Sequence, residues 1–303
     1  MDLENVISIP EESNHIVCYM DFLGSRKNIK ENANLLLRDI LSLFITAKEE
    51  LEKTSSDFPY GQIKHRIFSD NIIVSCELDD NLLNNKFRIG MILQFAASFQ
   101  KGALRKGYLL RGGITIGKYF CNDVLVWGSA LVEAVGLEEK VALYPRIIIN
   151  QDVIDETRKT DYEQEKRKNQ YDSIISSYCE MFYKEDIDKM VFLDYLRGTD
   201  KEEEKFCVPG TILYTGNELW ISEIEDIISS IIINKESEKV PRIQQKLGWQ
   251  INYLTQYLQE VKEREESFHR KSWSAIIDGT KKMKFRLSGM GLDDEFLKKI
   301  KDH

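Results

Sequence analysis

Three things are missing from this 303-residue sequence, and each removes a class of function. There is no excess of positive charge. With 42 Lys and Arg against 50 Asp and Glu, the formal net charge is −8, so no net field gathers phosphates and sequence-independent nucleic-acid binding is not expected. There is no paired cysteine: the five, at positions 18, 76, 121, 179 and 207, never form CxxC and read as reduced residues of a cytoplasmic protein. No apolar run approaches the roughly 20 residues that cross a bilayer, and the acidic segment MDLENVISIPEESN lacks a signal core. Neither a membrane partner nor export is expected. Internal repeats, low-complexity tracts and sustained heptads are absent as well.

What is there is enough apolar material, 42% of residues, to fill one large domain or two small ones. Periodicity places strands at 15–22, 60–67, 72–78, 108–118, 123–127 and 146–149. Helices fall in ENANLLLRDILSLFITAKEELEK, in LLNNKFRIGMILQFAASFQKGALRKG with Gly107 as its stop, and over 129–143. That order is a variant of the split βαβ plan, an α+β fold with helices on one face of a mixed sheet. After Asn150 the texture changes. TRKTDYEQEKRKNQYD and RGTDKEEEK are charged breaks, and the remainder reads as helical, with Pro241 suited to a first turn. The expected organisation is a core over 14–150, followed by a charged linker and a mainly helical region, 151–303, packing on the core or on a dimer.

Two acids stand out. In FSDNIIV, Asp70 and Asn71 interrupt β-rich runs, which predicts a hairpin turn. In IVCYMDFLGS, Asp21 ends an apolar strand before a short loop containing Gly24. If the two strands are neighbours, their backbones lie about 5 Å apart, and carboxylates that close repel unless a cation lies between them. Oxygen ligands at a loop edge suit Mg²⁺ or Mn²⁺, and amides from Phe22 to Ser25 can hold a triphosphate at the start of the following helix. Plainer roles stay open: Asp70 as a turn residue, Asp21 as a helix cap, Arg111 as half of a surface ion pair, and Trp127 as packing. Gly112, Gly113 and Gly117 read as sites of close backbone approach, and Asp194 and His65 as structural.

In order and spacing, YMDFLGS, FSDNIIVS, LRGGITIG, VLVWGSALVEA and YPRIIIN resemble the catalytic domain of class III nucleotidyl cyclases, and more narrowly the uridylate and cytidylate cyclases of bacterial Pycsar antiphage systems. The resemblance covers about 14–150. It implies a ferredoxin-like core working as a head-to-tail homodimer with active sites at the interface. Asp21 and Asp70 match the aspartates that hold two Mn²⁺ or Mg²⁺ ions, and the backbone of Phe22, Leu23 and Gly24 matches the phosphate-holding loop.

Departures from adenylate cyclases are informative. Ser69 stands where they have Gly, Arg66 where a Lys reads adenine, Leu125 where an Asp reads the base, and Val132 and Gly136 where Asn and Arg clamp the transition state. Adenine readout is therefore missing while both metal acids survive. The reading is a pyrimidine cyclase making 3′,5′-cyclic UMP from UTP, with cyclic CMP from CTP next, whose product activates a separate effector. Arg66 is the candidate for base contact, and Arg111, Arg66 and Arg146 are the candidates to neutralise the transition state. The alternative from another class is a catalytically silent nucleotide-binding regulator on the same fold.

Overall fold

The strand that carries Asp21, β1 (Ser13–Phe22), is a continuous apolar run from Ile16 to Met20 and is buried along most of its length. Only a central strand covered on both faces has use for such a run. The structure is a computed structural model and describes residues 12–55, 63–159, 179–196, 207–208, 211–212 and 221–263. In it β1 pairs antiparallel with β3 (Asn71–Glu77) on one side and with β4 (Leu110–Cys121) on the other. Outward from β3 lies β2 (Lys64–Phe68), and β4 pairs in parallel with β6 (Ile147–Ile149). The sheet order is β2-β3-β1-β4-β6-β8-β7, with the two-residue β5 (Val126–Trp127) folded back on β4. Its last two strands are β7 (Tyr183–Glu185) and β8 (Val191–Leu193).

Alternation along β1 sorts its side chains. Met20 and Phe22 face the helices α1 (Ser25–Ser55), whose helical geometry breaks at Asn32, and α2 (Leu82–Arg105). Phe22 meets Phe99 edge-on with ring centres 6.1 Å apart, and Phe44 of α1 meets Phe95 at 5.4 Å. His65 belongs to this face, its ring 4.4 Å from that of Phe44, as strand alternation predicts. On the other face, Val17 and Tyr19 pack with Ile73, Tyr119 and Cys121 beneath Ala130 and Ala134 of α3 (Ser129–Gly136). Gly113 permits that approach: a Cβ there would lie 2.5 Å from the Ala134 carbonyl oxygen.

The expected helix over 129–143 instead changes register. Residues Leu137–Val141 form a π-helical turn, closed by the Ala142 amide donating to the Leu137 carbonyl at 2.7 Å.

The fold is α+β, and the described part of the region after Asn150 is mostly helical: α4 (Gln151–Arg158), Ile221–Ser237 and 241–263. That region also extends the sheet through β7 and β8, with Ile148 of β6 opposite Phe192. The charged tracts at 157–172 and 197–205 lie almost wholly outside the described residues. By its contacts the chain divides into two units, Met1–Asn252 and Tyr253–His303. No helix among the described residues is long and apolar enough to cross a membrane.

Candidate active site

The site is built on one cross-strand row. Phe68 pairs with Asn71, Asn71 with Asp21, and Asp21 with Arg111, so these side chains share the α3 face of the sheet. Asp70 joins from the turn. It is the second residue of the two-residue connection between β2 and β3, and Ser69, the first, has φ 58°, the left-handed region in which glycine is favoured. The Asp70 carboxylate accepts a hydrogen bond from the hydroxyl of Ser25, the buried first residue of α1. The hairpin turn and the start of that helix are thereby tied together.

Between β1 and α1 runs the Phe22-Leu23-Gly24 segment. The Leu23 amide donates to the Leu109 carbonyl at 2.8 Å and is therefore committed to the sheet, which corrects its assignment as a phosphate-holding donor. Gly24 has φ +75°, and a Cβ built there would meet nothing within 4 Å. Its open side is where a ligand's backbone contact fits.

Arg111 lies with its Nε 3.4 Å and its Nη2 3.5 Å from Asp21 Oδ2, and it also contacts Glu138. The two contacts to Asp21 are long hydrogen bonds, and the contact to Glu138 is an ion pair without hydrogen-bond alignment at Oε1. Glu138 is nearly fully buried and sits on the π-helical turn, whose extra residue turns it toward β4. Burial raises the Asp21 carboxyl above the usual aspartate range; Arg111 opposes this, Asp70 adds to it, and Lys246 from helix 241–263 opposes it weakly. Glu138 is raised for the same first reason, with Arg111 again opposing and Asp21 and Glu139 adding. Tyr19 donates to Asn71 Oδ1, and burial pushes its phenol upward, as do the charges of Asp21, Glu138 and Asp70. A cluster of acids, with cations too few to neutralise it, therefore surrounds Asp21.

Asp21, Asp70 and Arg111 come together here with Ser25, whose amide the sequence places at the start of the helix; Glu138, Tyr19 and Lys246 join them without such notice. Glu138 and Tyr19 carry no local signal beyond ordinary strand and helix chemistry, and Lys246 lies on a segment expected only to pack. Two arginines hold other positions. Arg66 shares the face, one row along from Asp21, but its guanidinium is held by the Asn122 carbonyl, at 3.1 Å from Nε, and by Asp123 at 3.1 Å. Arg146, a candidate for the transition state, is fully buried: it pairs with Asp186 and Asp188 and lies over the rings of Tyr144, Phe192 and Trp249. It is a packing centre. Trp127 is 64% exposed and belongs to no core, Asp194 is buried, and Leu125 and Val132 are exposed.

Two carboxylates fit a hard divalent cation: they are oxygen donors at strand ends, and the charge of each disfavours the other until a cation joins them. Among the described residues no group of three or more His, Cys, Asp and Glu is arranged to hold an ion, so water and ligand oxygens would complete the shell.

No family model matches the sequence, and no curated protein does. Among solved structures, the adenylyl cyclase CyaB from P. aeruginosa is similar over 49% of this chain and 82% of its own, with 16% identity and a TM-score of 0.35. A class III adenylyl cyclase-like ATP-binding protein from Pseudomonas aeruginosa is similar over 48% of this chain and 35% of its own, with 13% identity and a TM-score of 0.30.

Proposed function

We propose that this chain is a nucleotidyl cyclase of the class III type that converts UTP to 3′,5′-cyclic UMP and pyrophosphate, with CTP as the second substrate. The observation that carries the reading is the meeting of Asp21 and Asp70, from a strand end and a hairpin turn 49 residues apart, beside the open turn at Gly24. Burial, and then the nearby charge of Asp70, raise the proton affinity of Asp21, which is costly to a partly buried carboxylate, and a site for cations and phosphate accounts for the arrangement.

Asp21 and Asp70 would hold the Mn²⁺ or Mg²⁺ ions. When bound, these supply Lewis-acid activation of the 3′-hydroxyl and neutralisation of the departing pyrophosphate. The chain's own residues do the positioning. Ser25 orients Asp70, Glu138 and Asp21 orient Arg111, and the Gly24 turn leaves room for phosphate. With the nucleotide in place, Arg111 is the near cation for charge developing on the α-phosphate. A bond forms between the 3′-oxygen and the α-phosphorus as the bond to pyrophosphate breaks, and the hydroxyl proton leaves to water. Arg66 is the residue for a pyrimidine carbonyl: its bonds to the Asn122–Asp123 turn are partly exposed and exchangeable.

Val124, Leu125, Trp127 and Val132 leave large apolar surface exposed on the β4–β5 hairpin and α3, which supports burial against a second copy in a homodimer. The role in antiphage defence, with a separate effector answering the cyclic nucleotide, rests on the sequence resemblance, and a cytoplasmic location rests on the unpaired cysteines.

One observation favours the second reading, a silent nucleotide-binding regulator: Asp21 already has a cation beside it in Arg111. The deciding experiment incubates the protein with ATP, GTP, CTP or UTP plus Mn²⁺, next to an Asp21→Ala, Asp70→Ala control, with products identified by mass spectrometry. Cyclic UMP or CMP from the unmodified chain alone is the expected result. Binding without any cyclic product would make the regulator the correct reading.

A further inference from the structure

A half-buried lysine without a partner among the described residues marks a contribution to the same site from far along the chain. Helix 241–263 has its residues up to 252 in the same unit as the sheet. Trp249 fixes where it lies. The indole stacks on Tyr144 with centroids 5.8 Å apart and planes 6° from parallel, meets Phe192 edge-on at 5.5 Å, and donates to Asp186 at 2.7 Å. Asp186 also holds the buried Arg146, whose carbonyl accepts from the Gly112 amide at 3.2 Å. Arg111 adjoins Gly112 on β4. The helix is thus anchored to the strand that carries Arg111.

Lys246 lies three residues before Trp249, on the same side of the helix. It is half-buried, close enough to Asp21 and Glu138 for opposite charges to attract, and close enough to Arg111 and Arg242 for like charges to repel. It makes no hydrogen bond or ion pair to any described residue. An ammonium partly withdrawn from water and left unpaired is unfavourable. Asp21 and Glu138, the acids whose charges act on it, contact Arg111 instead. Among the described residues, no anion pairs with it.

We propose that Lys246 is a polyphosphate ligand: its ammonium binds the phosphoryl oxygens of the nucleoside triphosphate beside Asp21, which makes residues 241–252 part of the active site. This rests on the cyclase reading and deepens it. A compact ammonium with three donors suits phosphoryl oxygens, and its placement on a helix held by Trp249 and Arg146 makes it a prearranged contact.

The test uses inorganic tripolyphosphate as the probe, titrated calorimetrically into the full chain in EDTA and again in Mn²⁺, for the unmodified protein and for Lys246→Gln, Lys246→Met and Lys246→Arg. Melting temperatures establish that each variant is folded. Loss of a charge-assisted hydrogen bond predicts about tenfold or more weakening for Gln and Met, and near-complete recovery for Arg. With UTP, Lys246→Gln should lower kcat/KM by a similar factor. Folded Gln and Met variants that bind tripolyphosphate as the unmodified protein does would overturn the inference. If UTP turnover is intact and indifferent to Lys246, this inference falls and the cyclase reading stands. If tripolyphosphate binding depends on Lys246 but no nucleotide is cyclised, the cyclase reading falls and the anion site stands. Neither binding nor product would overturn both.

Discussion

Asp21 and Arg111 stand directly opposite one another on β1 and β4, so the carboxylate at the centre of the proposed chemistry has a guanidinium 3.4 Å away. Arg111 is in turn paired with Glu138 through the same Nε. The pair holds Asp21 between two influences, a cation that favours its charge and burial beside Asp70 that opposes it.

The balance is measurable. Asp21 should titrate above the ordinary aspartate range, with burial as the leading cause. A folded-state value raised in this way means that the carboxyl favours folding while protonated, and that this contribution fades as pH rises through the raised value. Asp70→Asn removes the repelling charge and should bring the value down; Arg111→Gln removes the attracting one and should push it further up. Carboxyl carbon NMR titration of the three proteins reads this, and an Asp21 value unmoved by Asp70→Asn would contradict the proximity of the two acids.

Arg146 should matter for stability and not for chemistry by contact. Arg146→Met leaves Asp186 and Asp188 without their cation and empties a site walled by Tyr144, Phe192 and Trp249. Breaking a buried ion pair on one side costs about 3–5 kcal/mol. Because Asp188 is 41% exposed, the lower end of that range is expected. Arg146→Lys should recover little of it, since one ammonium cannot reproduce a planar fork shared by two carboxylates. Urea unfolding checks both, and an unchanged midpoint would show that the cage is not a packing centre.

Gly113 links packing to the site. In Gly113→Ala the new methyl would lie 2.5 Å from the Ala134 carbonyl oxygen and 2.6 Å from Leu137 Cβ, so α3 and the π-helical turn must move outward. A cost of about 1–3 kcal/mol is expected from overpacking. Because Glu138 rides on that turn, the Arg111 contact should loosen with it. Unfolding measurements alongside UTP turnover would separate the two effects. Unchanged stability would mean that the approach of α3 to β4 is looser than the structure has it.

Much of this arrangement is legible in the amino-acid sequence. The hairpin at Asp70 follows from Asp and Asn breaking β-rich runs, and the strand ending at Asp21 follows from a continuous apolar stretch; both signals are local. Alternation puts His65 on the face away from Arg66, and the structure has it against Phe44. Arg146 misleads because YPRIIIN reads as a strand edge, while the residues that bury it, Asp186, Asp188, Phe192 and Trp249, come from 40 to 103 positions further on.

The amino-acid sequence by itself determined which segments become strands and helices and which carboxylates stand at their ends, because propensity and periodicity act over a few residues. Only the tertiary structure decided which charges meet. Arg111 turning to Asp21 and Glu138, Arg66 to the Asn122–Asp123 turn, and Lys246 entering the acidic cluster all depend on register and helix placement. Coulomb energies follow distance in space, and separation along the chain says nothing about that distance until the sheet has formed.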